Sequence, residues 1–308
     1  MRGEIPLCGT VGTPLAGAVR PTIHVVIPVY NRLEKTRECL SDLEKQTWGK
    51  VVVWLVDDAS TDETPVVIPR EYPWVRLVRT SGNRWWTGAT NDGIQAALGV
   101  ADPTDWILLL NNDLRLAPDL LEKLLAAASK SQPPSLVGAV CLDKKDRCSI
   151  VDGGILVNWW SAKFIAQNQG KDIRSFAGGH EESVSVLTGR GALYPLAAFQ
   201  THGLFDDRHF QQCGDYSLPA FLKRKGYSLK VFYDARVFMD REETDLVNFS
   251  SRLQFQDWKK VFFGVRSNRN LRYRFFIAWY GCPRLALPGY LAIDFARVIV
   301  NFLRHCLR

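Results

Sequence analysis

The amino-acid sequence predicts an α/β domain built on a doubly wound, mainly parallel sheet. Short apolar runs alternate with helical patterns over about 120 residues, which is typical of such a sheet. Polar residues follow three of these runs directly, at 30–31, 57–58 and 112–113. Sheets of this kind bind ligands at the carboxyl ends of their strands, so these polar residues are expected to share one edge.

The first strands rest on nearly continuous apolar runs, such as VVVWLV before Asp57 and WILLL before Asn111. Runs without polar alternation are typical of strands buried on both faces. In this half of the chain the predicted strands are 23–29, 51–56, 74–78, 106–110 and 136–142.

The helices rest on spacing and on one proline. Leu33, Leu40 and Leu43 recur at helical intervals, and Pro118 suits the first turn of a helix. The predicted helices are 33–46, 87–98 and 118–128. After residue 143 the pattern loosens, with strands predicted at 150–157, 184–197 and 228–233 and a helix at 215–225. From about residue 245 the chain is predicted to be helical.

Charge is distributed unevenly along the 308 residues, and this suggests three parts. Residues 1–21 are rich in Gly, Pro and Ala and are expected to be a flexible leader. Residues 22–244 form the predicted α/β domain. Residues 245–308 form a basic, aromatic extension: the whole net charge of +7 and 13 of the 35 aromatic residues lie beyond residue 240. A balanced body with a basic tail argues against nucleic-acid binding and suggests contact with an anionic surface.

The seven cysteines argue against an extracellular or zinc-binding protein. They are odd in number, scattered and without a C-x-x-C pair, which excludes a disulfide framework and favours a reducing compartment. No signal peptide is expected at the start of the chain. The longest apolar stretch, 285–303, is interrupted by Pro288, Asp294 and Arg297, so it suits an interfacial helix better than a membrane-spanning one.

Two of the polar clusters contain carboxylates that suit nucleotide chemistry. Asp113 follows a buried strand, where a carboxylate can hold Mg²⁺ or Mn²⁺ against a diphosphate. Its structural alternative is a turn or helix-capping residue. Asp57 could accept a hydrogen bond from a pyrimidine N3–H, while Asp62 more simply caps the next helix.

Two further clusters have equally plain alternatives. Trp85 and Trp86 lie beside Gly and Asn in a loop that enters a helix, where they could stack on a sugar or base or simply fill the core. Asp215 could act as a general base or cap the helix that it opens.

Together these segments resemble family 2 glycosyltransferases with the GT-A fold, near the rhamnosyltransferase-like branch. The resemblance covers residues 22 to about 240 and is carried by segments that fall in the family's order and spacing. They are VVIPVYNR (25–32), WLVDDASTDET (54–64), NRWWTGATNDG (83–93), ILLLNNDL (107–114), LTGRGALYPLAAFQTHGLFDD (187–207) and CGDYSLPAFLKRKGYSL (213–229).

The resemblance implies a role for individual residues. Asp113 matches the metal-binding carboxylate at the end of the family's D-x-D motif, and Asp215 matches the catalytic base. Asp57 matches the aspartate that recognises the base of the nucleotide. The nucleotide-sugar pocket is expected to involve Pro28, Tyr30, Asn31, Arg32, Asp57, Asn83, Trp86, Gly88, Asn91 and Asn112.

The chain departs from the family pattern at two places. The usual Glu-Asp before the acceptor helix is Gly214-Asp215 here, so the base is present without its acidic neighbour. Met239 stands where many members have a metal-binding His, and Met is a poor ligand for a hard cation. Asp240 is the candidate to replace it.

The expected activity is metal-dependent transfer, with inversion, of a sugar from a nucleotide-diphosphate donor to a glycan or lipid-linked acceptor in surface polysaccharide synthesis. A dTDP- or UDP-sugar is expected as donor, with dTDP-rhamnose first. The competing hypothesis is a degenerate GT-A protein that binds at a membrane without turnover, suggested by the two departures. A nucleotidyltransferase is disfavoured because the first loop lacks the basic, Gly-rich sequence that it would need.

The extension is expected to attach the protein to the cytoplasmic face of a membrane. Basic side chains among aromatic ones suit the headgroup region of an anionic bilayer. The alternative is that the aromatic residues pack on the main domain or form a homodimer interface. The residues concerned are Arg266, Arg269, Arg272, Arg274 and Arg284, with Trp258, Phe262, Phe263, Phe275, Phe276, Trp279 and Tyr280.

Overall fold

A computed structural model describes residues 20–130, 135–241 and 253–307 of the chain. The predicted leader, apart from its last two residues, lies outside the described residues, and so do residues 245–252 at the start of the predicted extension. The boundaries between the three predicted parts stay predictions.

The strands of the described residues agree with the predicted parallel core. They are β1 (Ile23–Val29), β2 (Val51–Asp57), β3 (Val75–Arg79), β4 (Trp106–Leu109), β5 (Arg115–Leu116), β6 (Ser135–Asp143), β7 (Ile150–Asp152), β8 (Ile155–Asn158), β9 (Lys163–Ala166), β10 (Glu181–Ser183), β11 (Ala192–Pro195) and β12 (Ser228–Met239). The main sheet has the order β10-β12-β6-β11-β4-β1-β2-β3. β1 pairs in parallel with both β2 and β4, and β6 pairs in parallel with β12. β11 runs antiparallel between β4 and β6, so the sheet is mixed.

Helices cover both faces of this sheet. They are α1 (Leu33–Glu44), α2 (Thr64–Glu71), α3 (Trp85–Leu98), α4 (Leu120–Ser129), α5 (Leu196–His202), α6 (Ser217–Arg224), α7 (Trp258–Phe263), α8 (Leu271–Gly281) and α9 (Leu287–Cys306). On one face α1 and α4 bury Leu40 and Leu124 against the strands, and on the other α3 buries Ile94. All three side chains are fully buried, and truncation of such a residue to Ala typically costs about 2–5 kcal/mol.

Several elements differ from the sequence prediction for local reasons. The strand predicted at 150–157 is broken at Gly153 and Gly154, because Gly154 has a positive φ of 97°, which lies outside the β region. The strand predicted at 184–197 is short and continues as helix α5. β12 extends to Met239 because β6 pairs with it along its whole length, across a bulge that follows Phe232.

The C-terminal helices pack on the α/β domain. α8 lies against α6, and its Tyr273 and Ile277 are buried with Phe210. Arg274 on α8 forms a two-pronged ion pair with the fully buried Asp294 of α9, with 2.6 Å between Arg274 Nε and Asp294 Oδ2. Of the aromatic residues predicted to face a membrane, Phe276 stacks on His209 and Tyr280 donates to Asp206, so these two pack on the α/β domain. Within the described residues, no helix has the length and apolar character that crossing a bilayer requires.

Candidate active site

A cavity of about 720 Å³ lies at the carboxyl ends of the parallel strands, as the sequence predicts. Its floor is formed by the ends of β1, β2 and β4. Its walls come from the loop before α3, the segment before β11, the segment before α6 and the end of β12. Of the expected pocket residues, those that line it are Pro28, Tyr30, Arg32, Asn83, Trp86, Asn112, Asp113 and Asp215.

The loop after β1 is held in a left-handed conformation by Asn31. Asn31 and Arg32 both have positive φ, at 59° and 65°. The Asn31 Oδ1 accepts hydrogen bonds from the backbone N–H groups of Thr61 and Asp62, at 2.8 and 3.3 Å. Asn31 thus fixes the loop from behind, while the exposed ring of Tyr30 faces the cavity.

The two aspartates after β2 have different surroundings. Asp57 is fully buried and accepts from the Ser60 N–H and from Arg79 Nε, so its side chain does not line the cavity. Asp58 does line it, and its carboxylate accepts from the backbone N–H groups of Arg84 and Trp85 at 3.1 and 2.9 Å. The sequence singled out Asp57 for the nucleotide base; Asp58 is the carboxylate with access to a ligand.

The start of α3 contributes both Trp85 and Trp86 to the wall of the cavity, and two further residues of the helix lie behind it. Trp86 Nε1 donates to Asn111 Oδ1 at 3.0 Å. Gly88 is covered by the Arg84 side chain, since a Cβ there would lie 3.1 Å from its guanidinium carbon. Asn91 is buried, and its amide bonds both backbone groups of Phe205 at 2.8 and 3.0 Å.

The segment after β4 carries the predicted metal-binding carboxylate. Asp113 lies 3.4 Å from Arg32 Nη1, while Asn112 Nδ2 donates to Thr36 Oγ1 at 3.0 Å and is nearly buried. Among the described residues no group of three His, Cys, Asp or Glu side chains could hold a metal ion. Asp240 lies 3.9 Å from Lys145, and it is Met239 that lines the cavity.

One protein carboxylate nevertheless suits Mg²⁺ or Mn²⁺ in a nucleotide site. These hard cations prefer oxygen ligands, and they are commonly held by one or two carboxylates together with substrate phosphates and water. Asp113 is a partly exposed carboxylate in a cavity whose other residues could surround a diphosphate. The residues present therefore fit a metal that arrives with the nucleotide.

Asp215 faces the same cavity from the short 3₁₀ turn before α6. Its Oδ2 accepts a hydrogen bond from the Gly189 N–H at 2.9 Å. Burial raises the pKa of Asp215 to about 6, although that bond and the charge of Arg190 favour the ionised form. A carboxylate that titrates just below neutral pH can accept a proton during a reaction.

The missing acidic neighbour of Asp215 has a steric explanation. A Cβ at Gly214 would lie 2.6 Å from Thr87 Cγ2 and 2.7 Å from Thr87 Oγ1, because this turn packs directly on α3. A glutamate side chain does not fit there without a shift of α3. The glycine at this position is therefore explained by close packing, and Asp215 still lines the cavity.

Three further residues of the cavity wall received no site role from the sequence. Gly189 packs against Trp86, since a Cβ would lie 2.3 Å from its ring. Arg190 lines the cavity and pairs with Asp152 at 3.3 Å. Arg266, predicted to face a membrane, lines the cavity and lies 5.7 Å from the Trp85 ring. The segment 187–207 already resembled the family, but only its fold position shows that Gly189 and Arg190 meet Asp215.

Asp206 and Asp207, at the end of the segment 187–207, form bonds with other side chains. Asp206 accepts from the Tyr280 hydroxyl at 2.8 Å and bonds the His209 ring at 2.6 Å. Asp207 pairs with Arg84 at 3.3 Å.

Comparison with known proteins agrees with this geometry. Residues 24–173 match the family described as Glycosyl transferase family 2. An N-acetylglucosaminyl-diphospho-decaprenol L-rhamnosyltransferase of Mycobacterium tuberculosis is 29% identical over 225 residues, covering 67% of this chain and 71% of the relative. A succinoglycan biosynthesis protein, ExoO, of Rhizobium meliloti is 33% identical over 109 residues, 35% of this chain and 30% of that protein.

Solved structures share the fold at low sequence identity. The mannosyltransferase PcManGT of Pyrobaculum calidifontis, in complex with GDP-Man and Mn²⁺, has a TM-score of 0.54 at 16% identity, covering 94% of this chain and 73% of that one. TarS 1–349 of S. aureus in complex with UDP has a TM-score of 0.54 at 15% identity, with 92% and 73% covered. The predicted GT-A fold with C-terminal helices is confirmed, and the match over residues 24–173 identifies this part of the chain as glycosyltransferase family 2.

Proposed function

We propose that the chain is a metal-dependent, inverting glycosyltransferase that transfers a sugar from a dTDP- or UDP-sugar to a hydroxyl of a glycan or lipid-linked acceptor in surface polysaccharide synthesis. The observation that carries the proposal is that Asp113 and Asp215 line one cavity at the strand ends, with the pKa of Asp215 raised by burial to about 6. Asp113 suits the diphosphate side of a donor, and Asp215 suits an acceptor hydroxyl.

In this proposal Asp215 takes the proton from the acceptor hydroxyl as that oxygen attacks the anomeric carbon. A hydrogen bond of 2.9 Å from the Gly189 N–H holds this carboxylate in place. Attack from the side of Asp215, opposite the leaving diphosphate, gives a single displacement with inversion.

Asp113 would hold Mg²⁺ or Mn²⁺ together with the donor diphosphate, and the cation would neutralise charge on the leaving group. Arg266 and Arg190 add positive charge to the same cavity. Tyr30, Trp86 and Asp58 surround the remaining space and would orient the nucleoside and the sugar.

The donor is tested first with dTDP-rhamnose, since the similar M. tuberculosis protein is named as an L-rhamnosyltransferase. UDP-sugars follow, because TarS was solved with UDP and with UDP-GlcNAc. The measurement is consumption of each nucleotide sugar with Mn²⁺ or Mg²⁺, alongside the Asp215→Asn variant. Asp119→Asn, which removes an exposed carboxylate paired with Lys123, is the matched control. If no donor is bound or consumed, the chain is a catalytically degenerate member of its fold.

We also propose that helix α9 rests on the cytoplasmic face of a membrane. Its charged Asp294 and Arg297 are turned into the protein, where Arg297 donates to the backbone carbonyls of Ser161 and Ala162. The residues exposed on its outer side are almost all apolar: Ala292, Ile293, Ala296, Ile299, Val300, Leu303 and Leu307. A helix with an apolar outer face and basic surroundings suits the boundary between lipid headgroups and acyl chains.

In this proposal α9, and not the group of five arginines, is the main attachment to the membrane. Arg266 and Arg274 are occupied in the cavity wall and in the ion pair with Asp294. Co-sedimentation with anionic vesicles should be lost in the Ile299→Glu, Leu303→Glu double variant, which changes only exposed side chains. Retained co-sedimentation would refute the role of α9.

A further inference from the structure

A second cavity, of about 700 Å³, adjoins the first on the side of the C-terminal helices. It lies between the β8–β9 hairpin, α8 and α9, and it shares Cys213 and Tyr216 with the cavity that contains Asp215. A molecule bound here would therefore reach Asp215 from the side opposite the donor loops. The proposed function needs a site for an acceptor, and it does not assign this space.

The wall of the second cavity is mainly apolar, with basic side chains among the apolar ones. Among the described residues that line it, the charged ones are Lys163, Arg269, Arg274 and Arg297, and none is acidic. Phe164, Ile277 and Val298 supply an apolar portion. Such a mixture suits an amphiphile with an anionic head.

The carboxylate of Asp294 offsets part of this charge. Asp294 lies behind the wall and is committed to Arg274 through both oxygens. The bonds of Arg297 go to the neutral carbonyls of Ser161 and Ala162. Burial and the nearby Arg274 guanidinium lower the pKa of Arg269, as expected where like charges are held together away from water.

A phosphate or diphosphate group is the anion that this arrangement favours. Guanidinium groups bind phosphate oxygens in forked, charge-assisted pairs. The positive charge of Lys163 and Arg297 at this site would be neutralised by a multiply charged anion. On α9, the same helix that carries Arg297, the outer face is apolar, so a lipid chain attached to the anion could leave along the protein surface without entering water.

We infer that this second cavity binds the phosphate or diphosphate group of a polyprenyl-linked acceptor and presents its sugar to Asp215. The inference rests on the proposed function for the identity of the acceptor. Binding of an anion to this cavity can be measured without turnover. The inference and the proposed function can therefore fail separately.

The test is calorimetric titration of the full chain, in the presence of EDTA, with farnesyl diphosphate, inorganic pyrophosphate and farnesol. Farnesyl diphosphate should bind most tightly, farnesol weakly, and binding should weaken with added salt. Arg297→Gln should weaken farnesyl diphosphate binding about tenfold, as expected for loss of one charge-assisted contact. Arg304→Gln, which changes an exposed arginine on the same helix, should leave binding unchanged.

A second variant keeps the test decisive if Arg297→Gln does not fold. Lys163 is exposed at the cavity mouth, so Lys163→Gln should fold normally and weaken binding about threefold. Equal affinity for pyrophosphate and farnesyl diphosphate would mean that the site takes a free anion and not a lipid. Unchanged binding in both Lys163→Gln and Arg297→Gln, or no binding to wild-type protein, would overturn the inference. Failure of the proposed function would appear separately, as absence of nucleotide-sugar consumption.

Discussion

Asp215 should destabilise the native protein at neutral pH. Burial raises the pKa of this carboxyl from an ordinary value of 3.8 to about 6. Between these two pH values the native state holds a proton that the unfolded state has released, so stability falls as the pH rises through this window. The difference corresponds to about 3 kcal/mol at neutral pH.

The perturbation is Asp215→Asn, which cannot ionise and keeps an oxygen to accept from the Gly189 N–H. Urea unfolding at a series of pH values measures the effect. At about pH 7.5 the variant should be more stable than wild type by up to about 3 kcal/mol, and at about pH 4 the two should be nearly equal. Transfer activity should fall by about 10²–10⁴, since a general base acts in the chemical step.

Asp206→Asn is the control with the opposite sign. Burial alone would raise the pKa of Asp206, but hydrogen bonds with His209 and Tyr280 hold this pKa below its ordinary value. Removing that carboxylate should lower stability at neutral pH, and the deficit should shrink in acid. If Asp215→Asn and wild type show the same pH dependence of unfolding, Asp215 is not desolvated. If wild-type kcat/KM does not rise between about pH 5 and 7, Asp215 is not the base.

Three further predictions concern the metal, the cavity wall and the C-terminal helices. Asp113→Asn should abolish Mn²⁺-dependent donor binding while leaving the thermal midpoint within about 2 °C of wild type, because this loop carboxylate is partly exposed; calorimetry with and without Mn²⁺ checks both. Gly189→Ala should raise the donor KM about tenfold in steady-state assays, because the added methyl group would displace the Trp86 ring 2.3 Å away; an unchanged KM would remove Trp86 from the donor site. Asp294→Ala should lower the free energy of unfolding by about 3–5 kcal/mol in urea, because it leaves Arg274 without its buried partner; a loss near zero would mean that α8 and α9 are not held by this pair.

Much of the fold could be predicted because its central strands have strong local signals. Runs such as 23–29 and 51–56 are almost entirely apolar and can be stable only when covered on both faces, so a parallel sheet with helices on each side follows from them. The antiparallel insertion of β11 between β4 and β6 could not be predicted in this way, because strand order depends on contacts between distant segments. Helix α2 was not predicted from the sequence, because it is short and contains Pro65 and Pro69.

The sequence by itself determined which chemical groups are available and the order in which they occur. Asp113 and Asp215 were recognisable from their motifs, because each follows a pattern set by its immediate neighbours. The tertiary structure decided which side chains point where. It turns Asp58 into the cavity and buries Asp57, and it directs Asp294 and Arg297 inward on α9 while the apolar side faces out. The direction of a side chain depends on the rotation of its strand or helix against the rest of the domain, and that rotation is set by packing between segments far apart in the sequence.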